Sequence, residues 1–151
     1  MIISPSPAKQ IVLAEDNSAD ALMVRLALED SGLHCEVREL HDGDEALAYL
    51  DKFDADPHSV TVDLFLLDIH LPKHDGEDIL NRLRSSHRYA HTPVILMTGS
   101  DAPRHLALAQ KYAGMHYFRK PSSLAEYMQL GIIVRDLLCP AATGIAKTAQ
   151  C

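Results

Sequence analysis

The sequence predicts an α/β protein: a doubly wound sheet of five parallel strands with helices covering both faces. Two observations carry that reading. Short, continuous apolar runs recur along the chain, and each is followed by a stretch with helical spacing. Strands buried on both faces read as unbroken apolar runs, and strands separated by helices imply parallel pairing through crossovers. A third observation sets the scale: 151 residues with 47% hydrophobic content suit one compact domain with a real core.

The elements follow in order. Ile11 to Ala14 is the first buried strand. Asp16-Asn17-Ser18 then supplies loop and N-cap chemistry. From Ala19 the period changes: Ala19, Leu22, Met23, Leu26 and Ala27 share one helical face, and Gly32 stands where a helix-ending glycine belongs. Cys35, Val37 and Glu39 alternate with Glu36 and Arg38, which predicts a strand nearer the sheet edge. Asp42-Gly43 marks a turn, and Asp44 to Lys52 reads as helix. Asp54 to Thr61 is a polar loop. Val62 to Leu67 is the most apolar strand, closing at Asp68. Ile69 to Gly76 is a loop, and Glu77 to Ser85 a short helix. Pro93 to Met97 is the fourth strand, ending at Thr98-Gly99-Ser100. Arg104 to Tyr112 is helical, Tyr117 and Phe118 mark the fifth strand, and Lys120-Pro121 closes it. Ser122 or Ser123 caps a last helix from Leu124 to about Leu138. This divides the chain into an extension at 1–9, a domain at 10–138 and a small, polar tail at 139–151.

Composition narrows the functions. Lys+Arg is 14 against 21 Asp+Glu, a net charge of -7, which disfavours gripping phosphate backbones; Trp is absent, so base-stacking platforms are scarce. Cys35, Cys139 and Cys151 form no C-x-x-C pair and read as reduced thiols in a cytoplasmic protein. Met1 to Gln10 lacks a signal-peptide pattern, and no apolar run approaches the roughly 20 residues of a membrane span.

Ligands of open parallel sheets bind beyond the carboxyl ends of the strands. There the sequence places Glu15 and Asp16 after the first strand, Asp68 after the third, Thr98 and Ser100 after the fourth, and Lys120 after the fifth. Taken singly, each has an ordinary role as a cap, a structural hydroxyl or a surface lysine. Together they are specific. Three converging carboxylates repel and need a cation, and hard oxygen ligands suit Mg2+. Asp68 is placed as a nucleophile that forms an aspartyl phosphate, while Thr98 and Lys120 offer a hydroxyl and a point charge to phosphoryl oxygens. His70 and His74 have i, i+4 spacing, but Pro72 between them argues against a helical zinc pair. His34, His58, His87 and His91 read as surface residues, and Met23 and Met128 as core.

The segments I-V-L-A-E-D-N, D-L-F-L-L-D-I-H-L-P, D-G, P-V-I-L-M-T-G-S and Y-F-R-K-P, in this order, resemble the receiver domain of two-component response regulators over about Gln10 to Leu138. The resemblance implies a flavodoxin-like sheet of order 2-1-3-4-5 with five helices. It implies that Asp68 is the phosphoacceptor for a histidine kinase phosphohistidine. It makes Asp16 a direct Mg2+ ligand, Glu15 a ligand through water, Asp68 a further ligand and His70 a ligand through its backbone carbonyl. Thr98 and Lys120 would bind the phosphoryl oxygens. Tyr117 matches the switch aromatic that turns inward as Thr98 moves. Gly99 stands where alanine is common and leaves space for that aromatic. His70 and Ser100 flank the phosphoryl position and govern access of water.

With 151 residues, the resemblance implies a single-domain response regulator whose output is a partner protein, a relay step or self-association. It is not an enzyme in the ordinary sense, catalysing only its own phosphotransfer and dephosphorylation. The usual output and dimerisation face combines the fourth helix, fifth strand and fifth helix; Leu106, Phe118, Tyr127 and Leu130 are its candidate contacts. The L-P-K-H-D-G stretch, the long loop before the third strand and the extended last helix look like small receivers paired with bacterial phytochrome kinases. Neither nucleic acid nor membrane is expected as a direct partner. The alternative, an aspartate-nucleophile phosphatase of the haloacid-dehalogenase type, wants a second Asp two residues after the nucleophile and a Thr two further on. His70 and Pro72 stand there instead. A flavodoxin-like cofactor carrier fares worse, because Glu15 and Asp16 would repel a phosphate after the first strand.

Overall fold

The computed structural model describes residues 4–100 and 102–140. Five strands alternate with five helices: β1 (Lys9–Ala14), α1 (Ser18–Asp30), β2 (Cys35–Leu40), α2 (Gly43–Ala55), β3 (Leu64–Asp68), α3 (Gly76–Ser85), β4 (Val94–Thr98), α4 (Pro103–Lys111), β5 (Met115–Arg119) and α5 (Leu124–Leu138). All strand pairs are parallel and their order is β2-β1-β3-β4-β5. The chain thus reverses its direction of progress between β1 and β3, which opens a crevice at their carboxyl ends.

Strand alternation sorts the core into two layers. Val12, Ala14, Phe65, Leu67, Val94 and Leu96 pack with α2, α3 and α4 on one face. Ile11, Leu13, Leu64, Leu66, Ile95, Met97 and Phe118 pack with α1 and α5 on the other. Both faces of β3 and β4 are buried, which is why those strands carry no polar residue until their last position.

Local chemistry sets the helix ends. The Asn17 side chain accepts from the Ala19 and Asp20 N–H groups, Asp42 from Glu45, Asp75 from Asp78 and Ser123 from Glu126. These are N-caps, worth about 1 kcal/mol each. Ser123, rather than Ser122, is therefore the cap of α5. Helix α4 differs: Ala102 precedes it, with Pro103 in the first turn and no side-chain cap.

Three expectations need correction. The third strand starts at Leu64, not Val62, because Asp63 is committed to Gln10 on both sides. Its N–H donates to the Gln10 carbonyl (2.8 Å), and its carboxylate accepts the Gln10 N–H (2.7 Å). The polar loop starts later than Asp54, since α2 runs to Ala55 and the Asp54 carboxylate accepts from Ser86 Oγ at 2.6 Å. The reduced-thiol reading holds for Cys35, a free thiol, but Cys139 is disulfide-bonded. Spacing along the chain carried no sign of that bond. Cys151 and most of the predicted tail lie outside the described residues. Met23 and Met128 pack against the core, and His34, His58, His87 and His91 are exposed, as read. Among the described residues, no helix is long and apolar enough to cross a membrane.

Candidate phosphoacceptor site

The crevice between β1 and β3 holds the acids. Glu15 follows β1 directly and is buried; its Oε1 accepts the Asn17 N–H at 3.0 Å, so the turn into α1 orients it. Asp68 ends β3, also buried, and its Oδ1 accepts the His70 N–H at 2.9 Å. Asp16 is exposed at the rim. One oxygen of each of Glu15, Asp16 and Asp68 lies within 4.8 Å of the other two. Gly76 lets the following loop fold over this edge, since a Cβ there would stand 2.7 Å from the Ile69 Cα and 3.0 Å from the Asp68 carbonyl oxygen.

Lys120 reaches into the crevice from the end of β5. Its Nζ lies 2.6 Å from Glu15 Oε2, 2.7 Å from Asp68 Oδ2 and 3.0 Å from Asp20 Oδ2. Burial opposes its charge, but the bonds to Asp68 and Glu15 outweigh that and raise its pKa above the ordinary lysine value. Burial pushes Glu15 up to about 7; the Lys120 hydrogen bond opposes this and the Asp68 charge adds to it. One ammonium therefore does not neutralise the acids around it. Hard oxygen donors with uncompensated buried charge fit a divalent cation such as Mg2+.

Asp20 is a site residue that sequence reasoning missed. Besides meeting Lys120, it accepts a hydrogen bond from the Tyr127 hydroxyl at 3.2 Å. Burial and the neighbouring Asp20 charge raise the Tyr127 pKa, which keeps the phenol a donor. The available signal was its place in the first turn of α1, just past the strand end.

Thr98, fully buried, ends β4 one strand beyond Asp68, and its carbonyl accepts the Lys120 N–H at 2.8 Å. Its hydroxyl accepts the Ser100 N–H at 3.1 Å and lies 3.4 Å from His105 Nδ1. Half-buried Tyr117 donates its hydroxyl to the Ser100 carbonyl at 2.8 Å. Ser100 thus joins Thr98 to Tyr117. A Cβ at Gly99 would meet nothing within 4 Å, so this position is open.

His70 and His74 do not form a pair. The His70 ring packs edge-on against His105, with centroids 5.0 Å apart, whereas His74 Nε2 lies 3.1 Å from Asp44 Oδ1. Of the contacts read onto the α4–β5–α5 face, only Leu106 is exposed, at 45%. Phe118, Tyr127 and Leu130 are 9%, 3% and 0% exposed and belong to the core under α5. Strand alternation explains the error: Phe118 faces the opposite side of the sheet from Tyr117.

An open parallel sheet of this order, with a phosphate-compatible lysine and hydroxyl beside an acidic cation pocket, defines a receiver-type phosphoacceptor domain. The comparisons with known proteins agree. The response regulator receiver domain family matches residues 11–146, and the chain belongs to that family. Response regulator Rcp1 of Synechocystis sp. is 35% identical over 95 residues, 63% of this chain and 65% of Rcp1. The probable methanogenesis regulatory protein FilR2 of Methanothrix harundinacea is 34% identical over 116 residues, 77% of this chain and 74% of FilR2. Among solved structures, the phosphorylated cyanobacterial phytochrome response regulator RcpA superposes with a TM-score of 0.78 at 30% identity, covering 91% of this chain and 98% of RcpA. The Mn2+-bound form of Rcp1 gives 0.76 at 27%, covering 91% and 99%.

Proposed function

We propose that this protein is a single-domain response regulator that takes a phosphoryl group onto Asp68 from a histidine kinase phosphohistidine. The observation that carries the assignment is the convergence of Lys120 Nζ on Asp68 and Glu15, at 2.7 and 2.6 Å, beside the acidic triad. An Asp68 carboxylate oxygen attacks phosphorus, the P–N bond of the donor breaks, and the imidazole leaves. Glu15 (through water), Asp16, Asp68 and the His70 carbonyl would hold Mg2+, which would supply positive charge to a transferring phosphoryl group. Lys120 and Thr98 bind the phosphoryl oxygens, and Tyr117 follows Thr98 through Ser100. The receiver unit spans 10–138, with 1–9 and 139–151 as extensions.

The likeness to RcpA, a cyanobacterial phytochrome response regulator, supports a phytochrome-type kinase as donor. A cytoplasmic location and an output by a partner protein or relay complete the proposal. The exposed part of the α4–β5–α5 face, with Leu106, is the proposed dimer and output surface.

Acetyl phosphate with Mg2+ tests the chemistry directly. Wild-type protein is expected to gain acid-labile, hydroxylamine-sensitive phosphate, and Asp68→Asn to gain none. Label persisting in the variant, or no uptake by wild type, contradicts the assignment. Sedimentation with and without beryllofluoride checks the dimer; a monomer in both states removes it.

A further inference from the structure

His105 lies outside the set of residues assigned above, yet it is the polar side chain nearest the Thr98 hydroxyl on the α4 side. It is 3% exposed, and with Leu108 it is one of only two buried residues of α4. Its Nδ1 is 3.4 Å from Thr98 Oγ1, its ring packs against His70, and its Nε2 has no hydrogen-bond partner among the described residues. A neutral imidazole carries one N–H, and the surroundings decide which nitrogen bears it.

The two tautomers differ in what they leave unpaired. With the proton on Nε2, a buried N–H is orphaned. With the proton on Nδ1, an acceptor is orphaned instead, the commoner of the two cases among buried backbone groups. The Nδ1–H then faces Thr98 Oγ1, 3.4 Å away. Thr98 Oγ1 already accepts the Ser100 N–H. A hydroxyl has two lone pairs and one proton. With both lone pairs occupied, the proton is its one free valence.

We propose that His105 is a positioning residue: its Nδ1–H, with the Ser100 N–H, fills both lone pairs of the Thr98 hydroxyl and leaves that proton free for a phosphoryl oxygen. This rests on the receiver reading of Asp68 and Thr98. It also ties the hydroxyl to α4 through a single side chain, so any shift of Thr98 pulls on that helix.

The test combines imidazole 15N NMR of the full chain with beryllofluoride binding in Mg2+. The Nδ1-protonated tautomer is expected for His105 in wild type, and loss of that preference in Thr98→Val. His105→Leu is expected to weaken beryllofluoride binding roughly two- to fivefold, the scale of one long hydrogen bond, and His105→Asn, whose amide can donate from the same place, to restore it. An Nε2-protonated ring, tighter binding by His105→Leu, or no rescue by His105→Asn overturns the proposal. If His105→Leu does not fold, the tautomer of wild type and of Thr98→Val decides alone. A wild type that binds no beryllofluoride overturns the receiver reading and this inference with it; a wild type that binds normally while His105→Leu equals it overturns this inference only.

Discussion

Two regions around the sheet are built differently. On one face, α1 and α5 lie against each other so closely that a Cβ at Gly131 would stand 2.0 Å from the Ala27 carbonyl oxygen. Tyr127 and Lys120 bond across this seam to Asp20, and both helices begin with side-chain caps. Around α4, on the other face, the packing is sparser: this helix has no side-chain cap and buries only His105 and Leu108. Few buried contacts and uncapped ends mark the less stable parts of a fold. Lys120, which bonds the proposed nucleophile Asp68, is tied to Asp20 at the firm seam, and the proposed Thr98–Ser100–Tyr117 switch links lie beside the uncapped α4. Chemistry needs fixed distances and a switch needs a second accessible packing, and the molecule separates the two.

Tightening or loosening either half breaks this contrast in a measurable way. Gly131→Ala should do most: with backbone in the way, α5 must move off α1, at a cost of about 1–3 kcal/mol, lowering the urea midpoint. An unchanged midpoint would mean that the seam is not close-packed. Ala102→Asp should act in the opposite sense on the other half. A cap for α4 adds about 0.5–1 kcal/mol, read as slower amide exchange within α4. Exchange left as in wild type would show that the missing cap is not what loosens this helix.

A pH slope tests the acidic pocket itself. Folded Glu15 keeps its proton up to about 7, against an ordinary value of 4.5. Between those values the folded state binds more protons than the unfolded state. Stability therefore falls as pH rises through this window and levels off above it. In metal-free protein, Glu15→Gln should remove that part of the slope; parallel curves for the two proteins would contradict it.

Much of this was legible in the sequence. The alternation of apolar runs with helical periods specified the sheet, because buried parallel strands tolerate no polar interior. The site residues at the strand ends followed from chain topology alone: Glu15, Asp16, Asp68, Thr98 and Lys120 all lie at the carboxyl edge. What stayed hidden depends on side-chain direction. Asp20 looks like an ordinary first-turn acid until Lys120 is seen beside it. Phe118, Tyr127 and Leu130 lie on β5 and α5, two elements of the expected output face, but their side chains turn into the core. His105 sits in an amphipathic helix among exposed residues, and only the packing of α4 on β4 turns it toward Thr98.

Hydrogen exchange by mass spectrometry, with and without Mg2+ and beryllofluoride, tests the division of labour most directly. The expected result is a change concentrated in peptides covering 98–119, with α1 and α5 amides as slow as before. Changes spread evenly over the sheet, or centred on α1 and α5, would contradict it.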